Sequence, residues 1–256
     1  MLKGKRGIIF GIANDHSIAW GISKKLSEHG AELALTYQND TLLKRIKPLS
    51  KEINSKLLIE CDFSQSNSIK KCFDSLNQEW NNIDFVVHAA AFSNKNELNG
   101  RYIDTSLSNF INTLNISCYS FTEISKLASS MMNNGGSLLT LSFYGANKVM
   151  PNYNVMGVAK AALEMSVKYL SVDLGKNNIR VNAISAGPMR TIAGAAIAKA
   201  REVYKYTEKN SPLHRNVRLD ELGNTALYFV SDLSKAVSGE IHYVDCGFNI
   251  IGMPQY

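Results

Sequence analysis

With 256 residues, 45% of them hydrophobic, and a formal net charge of +6, the chain reads as a globular protein with a sizeable core, not as a disordered, repetitive or fibrous one. No basic run is interleaved with aromatics, which argues against nucleic acid, and the apolar stretches at 7–13 and 192–200 are too short or too interrupted to span a bilayer. The four cysteines (Cys61, Cys72, Cys118, Cys246) show no C-x-x-C pair and no metal-like histidine spacing, so a reducing, cytoplasmic setting without a metal is expected.

The basic residues ahead of the first apolar run do not read as a secretory leader, because that run is short and turns straight into a glycine motif. It predicts a buried strand over 5–10, followed by a helix over 17–29 that Gly30 stops. Further along come a strand at 31–37, a helix at 40–53, a strand at 56–60, a helix at 66–80 and a strand at 85–89. One long helix is expected over 107–132, then a strand at 137–142, a helix reaching about 174 and a strand at 178–184. A helix at 219–231 and a strand at 240–244 complete the series. Strands alternating with helices call for right-handed crossovers and a parallel sheet of about seven strands covered on both faces: an α/β, doubly wound, Rossmann-like domain spanning 1–256. Such sheets bind ligands beyond the C-terminal ends of their strands.

The segments after those strands suit a dinucleotide. Gly11 lets the backbone turn and approach a ligand, and the next helix offers free N–H groups to a pyrophosphate, although Ser17 fits an ordinary N-cap equally well. After the second strand, Gln38 can hydrogen-bond ribose hydroxyls, and Asp40 discourages a 2′-phosphate, with Lys44 and Arg45 a turn further on. Asp62 can accept from an adenine amino group, though acids are common at helix starts. Ala89, Ala90 and Ala91 would let a flat cofactor lie against the backbone or simply pack a strand end, while His88 reads as a packed histidine.

Between Pro151 and Lys160 the chain reads P-N-Y-N-V-M-G-V-A-K, with Tyr153 and Lys160 seven positions apart. On a helix they share a face, roughly 10.5 Å apart along the axis. A nearby ammonium favours the phenolate, so the pair is expected to lower the phenol pKa, and such a phenol can donate to an oxygen that becomes negative. Taken alone, the pair describes an ordinary helix surface more readily than a catalytic one.

Together, G-I-A-N-D-H-S-I-A-W-G, A-E-L-A-L-T-Y-Q-N-D, P-N-Y-N-V-M-G-V-A-K, R-V-N-A-I-S-A-G-P-M-R-T and S-G-E-I-H-Y-V-D resemble the bacterial NADH-dependent enoyl-acyl-carrier-protein reductases, a branch of the short-chain dehydrogenase/reductase superfamily. The tyrosine-x6-lysine spacing is the specific signal, since ordinary members carry tyrosine-x3-lysine and Gly157 stands at that position here. The resemblance implies reduction of a trans-2-enoyl thioester on acyl carrier protein in fatty-acid elongation, with Tyr153 and Lys160 catalytic. It implies NADH, with NADPH less favoured, held by Gly11, Ser17, Ile18, Gln38, Asp62, Phe63, Ala90, Ile116, Lys160, Met189, Arg190, Thr191, Ile192 and Ala193. It places substrate against Phe92, Ser93, Phe143, Tyr153, Met156 and Ile197. It also implies a homotetramer and a mobile substrate-binding helix near 191–207, where Lys199, Arg201, Lys205 and Lys209 could meet an acidic carrier or form a solvated basic face.

Four positions depart from the family pattern: Phe143 replaces a common tyrosine, Ala89–Ala90–Ala91 replaces S-I-G or S-I-A, Asn115 replaces aspartate, and Cys246 replaces glycine. Adjacent side chains on a strand end point oppositely, so Tyr144 is not expected to take over from Phe143. Two other readings remain at this point. One is a carbonyl reductase using Ser142, Tyr153 and a lysine; the other is a nucleotide-binding protein without catalysis.

Overall fold

A computed structural model describes residues 1–195 and 198–253. Seven strands form one parallel sheet: β1 (Arg6–Phe10), β2 (Glu32–Tyr37), β3 (Leu57–Glu60), β4 (Phe85–His88), β5 (Gly136–Phe143), β6 (Ile179–Ala186) and β7 (Ile241–Val244). Their order is β3-β2-β1-β4-β5-β6-β7, so the winding reverses between β1 and β4 and opens a crevice beyond their C-terminal ends.

The pleat divides the core. On β1, Ile9 faces a layer built from α1 (Ile18–Glu28), α2 (Asp40–Glu52) and α9 (Leu219–Val230), where Ile22, Ile46 and Phe229 are fully buried. Ile8 and Phe10 face the other layer, built from α3 (Ser68–Glu79), α5 (Ser120–Ser129) and α6 (Asn154–Gly175), with Phe73, Phe121 and Leu163 at its centre. Burial on both faces is why β1 and β4 read as short continuous apolar runs instead of alternating ones, while β6 buries Asn182 and Ser185 among its apolar residues.

Two expectations change. The single helix over 107–132 is α4 (Leu107–Leu114), a π-helical turn (Asn115–Tyr119) and α5. The Ser120 hydroxyl donates to the Ile116 carbonyl at 2.7 Å inside that wider turn, which brings Ile116 to the crevice. The expected helix near 191–207 is a short α7 (Ile192–Ala195) and α8 (Ala200–Asn210), with Lys199 in the left-handed region (φ 59°) at the start of α8. Two 3₁₀ turns, Lys95–Glu97 and Tyr102–Asp104, occupy the connection from β4 to α4.

Candidate active site

One cavity of about 1760 Å³ lies over the C-terminal strand ends. At its β1 corner Gly11 has φ +95°, and a Cβ there would sit 2.4 Å from the Ala89 carbonyl oxygen, so only glycine fits this crossing of β1 and β4. Ser17 closes the loop from below: its Oγ accepts from the backbone N–H of Ala13 (3.0 Å) and Asn14 (3.1 Å). Ser17 therefore shapes the loop and does not line the cavity, whereas Ile18 does. No side chain caps the N-terminus of the eleven-residue α1, which leaves backbone donors for an anion.

The far wall comes from the ends of β2 and β3. Gln38 Nε2 donates to Asp62 Oδ1 (3.1 Å), and Asp62 also accepts from the Ser64 backbone and hydroxyl, so the two predicted contacts are fixed against one another. Arg45 borders the cavity beside Leu42, a contact that sequence reading placed only nearby. The two lie three apart on α2 and share its face, which is the periodicity that could have found it. Phe63, Ala90 and Ile116 complete this half. The narrow glycine crossing, the uncapped helix end and a polar far wall fit a dinucleotide.

His88 lies beneath it, fully buried, with its ring nitrogens 2.8 Å from Thr140 Oγ1 and 2.9 Å from Ser120 Oγ. The Ser120 hydroxyl also reaches the Ile116 carbonyl (2.7 Å) and the Thr140 hydroxyl the His88 carbonyl (3.2 Å), so the single N–H of a neutral ring goes to one of the two hydroxyls and its other nitrogen accepts from the other. Burial, aided by the Lys160 cation, lowers the His88 pKa to about 3, so this ring is a neutral packing element, as the sequence suggested.

The helix carrying the tyrosine–lysine pair begins one residue later than the pair itself. Tyr153 is the N-cap of α6, and Lys160 lies within the helix; both are buried. The ring of Tyr153 meets Phe143 edge-on with centroids 5.1 Å apart. Lys160 Nζ donates to the Leu141 carbonyl at 2.7 Å. The expectation of a lowered phenol pKa is overturned: burial, and next the charge of Glu164, push the Tyr153 phenol up. Removing water disfavours the phenolate, so Tyr153 rests as a neutral proton donor. Burial also depresses Lys160 to about 8, opposed by Cys118 and Glu164. A Cβ on Gly157 would approach the Gly145 carbonyl oxygen to 2.9 Å, so the position four after Tyr153 has no room for a lysine.

Tyr144 packs on Phe248, with ring centroids 5.6 Å apart, while Phe143 forms the wall beside Tyr153, as strand alternation requires. The remaining cavity is lined by Phe92, Ser93 and Met156, all expected, and by Leu98, Met150 and Tyr204, which sequence reading missed. Their signal is three-dimensional: the connection after β4, the loop before α6 and α8 converge from distant parts of the chain. Ser93 is held by Asn109 and Thr113. Met189, Arg190, Thr191 and Ile192 line the entrance, where the Arg190 guanidinium lies 4.5 Å over the Tyr204 ring. Ile197 and the side chain of Ala193 lie outside the described residues. Arg201 and Lys205 border the mouth, and Lys199 is exposed.

A family model described as "Enoyl-(Acyl carrier protein) reductase" matches residues 11–249. The chain is 57% identical over 254 residues to enoyl-[acyl-carrier-protein] reductase [NADH] 2 of Rhizobium meliloti (strain 1021), covering 99% of this chain and 95% of that protein. The crystal structure of FabI from Candidatus Liberibacter asiaticus superposes with a TM-score of 0.97 at 53% identity, covering 99% and 98% of the two chains. The enoyl-acyl-carrier-protein reductase of Anaplasma phagocytophilum in complex with NAD does so at 0.94 and 54%, covering 99% and 95%.

Proposed function

The chain belongs to the enoyl-acyl-carrier-protein reductase family, and from that premise we propose the role of each part of its site. It is an NADH-dependent oxidoreductase that reduces the double bond of a trans-2-enoyl thioester in fatty-acid elongation. The observation that carries the residue assignment is a neutral, buried phenol at Tyr153 on the wall of the cavity, with the Lys160 ammonium set deeper along the same helix.

Bound NADH supplies the hydride for the β-carbon. The chain supplies the rest. As charge develops on the thioester oxygen, Tyr153 donates to it, and its raised pKa keeps the proton available. Lys160 holds the nicotinamide ribose, and its present acceptor, the Leu141 carbonyl, keeps the ammonium oriented toward the cavity floor. Gly11, Ile18, Gln38, Asp62, Phe63, Ala90 and Ile116 hold the adenosine and pyrophosphate, Ser17 shapes their loop, and Met189–Ala193 cover the nicotinamide end. Phe143 and Met156 give the enoyl chain an apolar wall beside Tyr153, and Phe92 and Ser93 flank it. With phenylalanine at position 143, no second phenol from the end of β5 stands beside Tyr153.

The chain acts as one cofactor-and-substrate unit in which 191–207 covers the acyl chain. Lys199, Arg201, Lys205 and Lys209 present positive charge to the acidic carrier protein. Exposed apolar side chains on α6 (Met165, Tyr169 and Val172) suit burial against further copies in a homotetramer. The free thiols suit a reducing cytoplasm. The test is NADH oxidation with crotonyl and acetoacetyl thioesters. Turnover of the crotonyl substrate is expected, and turnover of the keto substrate alone would overturn the assignment.

A further inference from the structure

Glu164 lies one turn beyond Lys160 on α6 and none of the roles above uses it. Its Oε1 accepts from the Ser142 hydroxyl at 2.6 Å, and its Oε2 accepts from Asn147 Nδ2 at 3.0 Å. The same Asn147 amide reaches the Tyr243 hydroxyl at 3.0 Å. The carboxylate is thereby held from β5 and from the loop leading to Tyr153. Ser142 borders the cavity between Leu141, whose carbonyl accepts from Lys160, and Phe143, whose ring meets Tyr153.

A serine hydroxyl has one proton, and an ionised carboxylate can only accept. The 2.6 Å separation falls in the range of short charge-assisted O–H···O⁻ bonds. The Ser142 proton is therefore committed to Glu164, and Ser142 offers the cavity lone pairs but no donor. Its neighbour Phe143 offers neither.

We propose that Glu164 determines specificity by withdrawing Ser142 as an oxyanion donor, so that Tyr153 alone answers a substrate oxygen and ketone reduction is disfavoured. The inference rests on the reductase reading above. A 3-ketoacyl thioester would take hydride from NADH at its ketone carbon and a proton at the ketone oxygen, giving a secondary alcohol. The charge then develops on the ketone oxygen carried by the carbon that accepts hydride, not on the thioester oxygen, and a second donor at the end of β5 is what that different position needs.

The experiment compares kcat/KM for acetoacetyl and crotonyl thioesters with NADH in the wild-type protein and four variants. Glu164→Leu removes the acceptor and is expected to raise the keto-to-enoyl ratio by about tenfold or more, as a freed oxyanion donor can. Glu164→Gln retains an acceptor oxygen and is expected to stay near the wild-type ratio. In Glu164→Leu/Ser142→Ala the ratio returns to the wild-type value. Infrared spectra of bound acetoacetyl thioester give a readout independent of turnover: the ketone stretch shifts to lower frequency in Glu164→Leu and returns in the double variant. Ser142→Ala alone keeps crotonyl turnover within about threefold, because a hydroxyl that donates nothing to substrate loses nothing there. An unchanged ratio in folded Glu164→Leu, or a rise that survives Ser142→Ala, overturns the proposal. So does a roughly hundredfold loss of crotonyl turnover in Ser142→Ala, which stands even if the Glu164 variants fail to fold. Failure of the wild-type protein to reduce crotonyl thioester overturns the reductase reading instead.

Discussion

Replacing Lys160 by methionine should stabilise the cofactor-free protein while destroying its use of NADH. The lysine is buried, its ammonium has a neutral carbonyl at 2.7 Å, and no carboxylate lies within 4 Å of it among the described residues. Burial lowers its pKa from 10.5 to about 8. That displacement costs the folded state about 3 kcal/mol at neutral pH. Methionine fills a similar volume without the charge and forfeits the bond to Leu141, worth about 1 kcal/mol, so the net gain is about 2 kcal/mol. For a chain of this size such a gain raises Tm by about 4–8 °C.

The pH dependence follows from the direction of the shift. Between pH 8 and 10.5 the unfolded lysine holds a proton that the folded one releases, so wild-type stability rises with pH through that window. Below pH 8 the penalty is fully present. The advantage of Lys160→Met is therefore complete at pH 7, shrinks through the window and changes sign near its upper end, where the remaining penalty falls below the value of the lost hydrogen bond. Calorimetry of the cofactor-free protein at pH 7 and pH 10, with fluorescence titration of NADH at pH 7, measures all three effects. A variant less stable than wild type at pH 7, or a stability difference equal at both pH values, would refute the reasoning.

Tyr153→Phe should lower kcat by about a hundredfold or more while leaving the NADH dissociation constant unchanged, because it removes a donor whose partner becomes charged only during reaction; steady-state rates and fluorescence titration separate the two effects. Gly11→Ala should weaken NADH binding and lower Tm, since its Cβ would meet the Ala89 carbonyl at 2.4 Å with φ at +95°; titration and calorimetry on one preparation show both losses. Reversing Arg201 and Lys205 to glutamate should raise KM for a carrier-bound enoyl substrate and leave KM for the coenzyme A thioester within about twofold, with the difference fading as salt rises. Equal KM changes for the two substrates would remove the basic mouth from carrier recognition.

The sheet was legible because β1 and β4 are buried on both faces and carry short apolar runs, Gly7–Phe10 and Phe85–Val87. The ends of β1, β2, β3 and β4 then pointed to Gly11, Gln38, Asp62 and Ala90, all of which line the cavity. The π turn at Asn115–Tyr119 was not legible, because one widened turn leaves the apolar pattern on both sides nearly in phase. Protonation was misread for a related reason. A lysine seven positions from Tyr153 is visible in the chain, but the burial of the phenol is not, nor is the closeness of Glu164 eleven positions away. The linear pattern identified the two groups without setting their electrostatics. Leu98, Met150 and Tyr204 come from two separate connections and from α8, and each looks ordinary within its own segment.

Gly157 limits the routes by which this site could change. Its α-carbon packs so closely against the Gly145 carbonyl that any side chain would collide with backbone. Moving a lysine from position 160 to 157 therefore requires more than exchanging two residues. Helix α6 must stand off from the loop before it, and that loop leads from Phe143 to Tyr153. Carbonyl-type and enoyl-type spacing are thus separated by a docking distance between a helix and a turn. Point substitutions that keep this docking would yield weaker enoyl reductases before they yielded an enzyme with tyrosine-x3-lysine geometry.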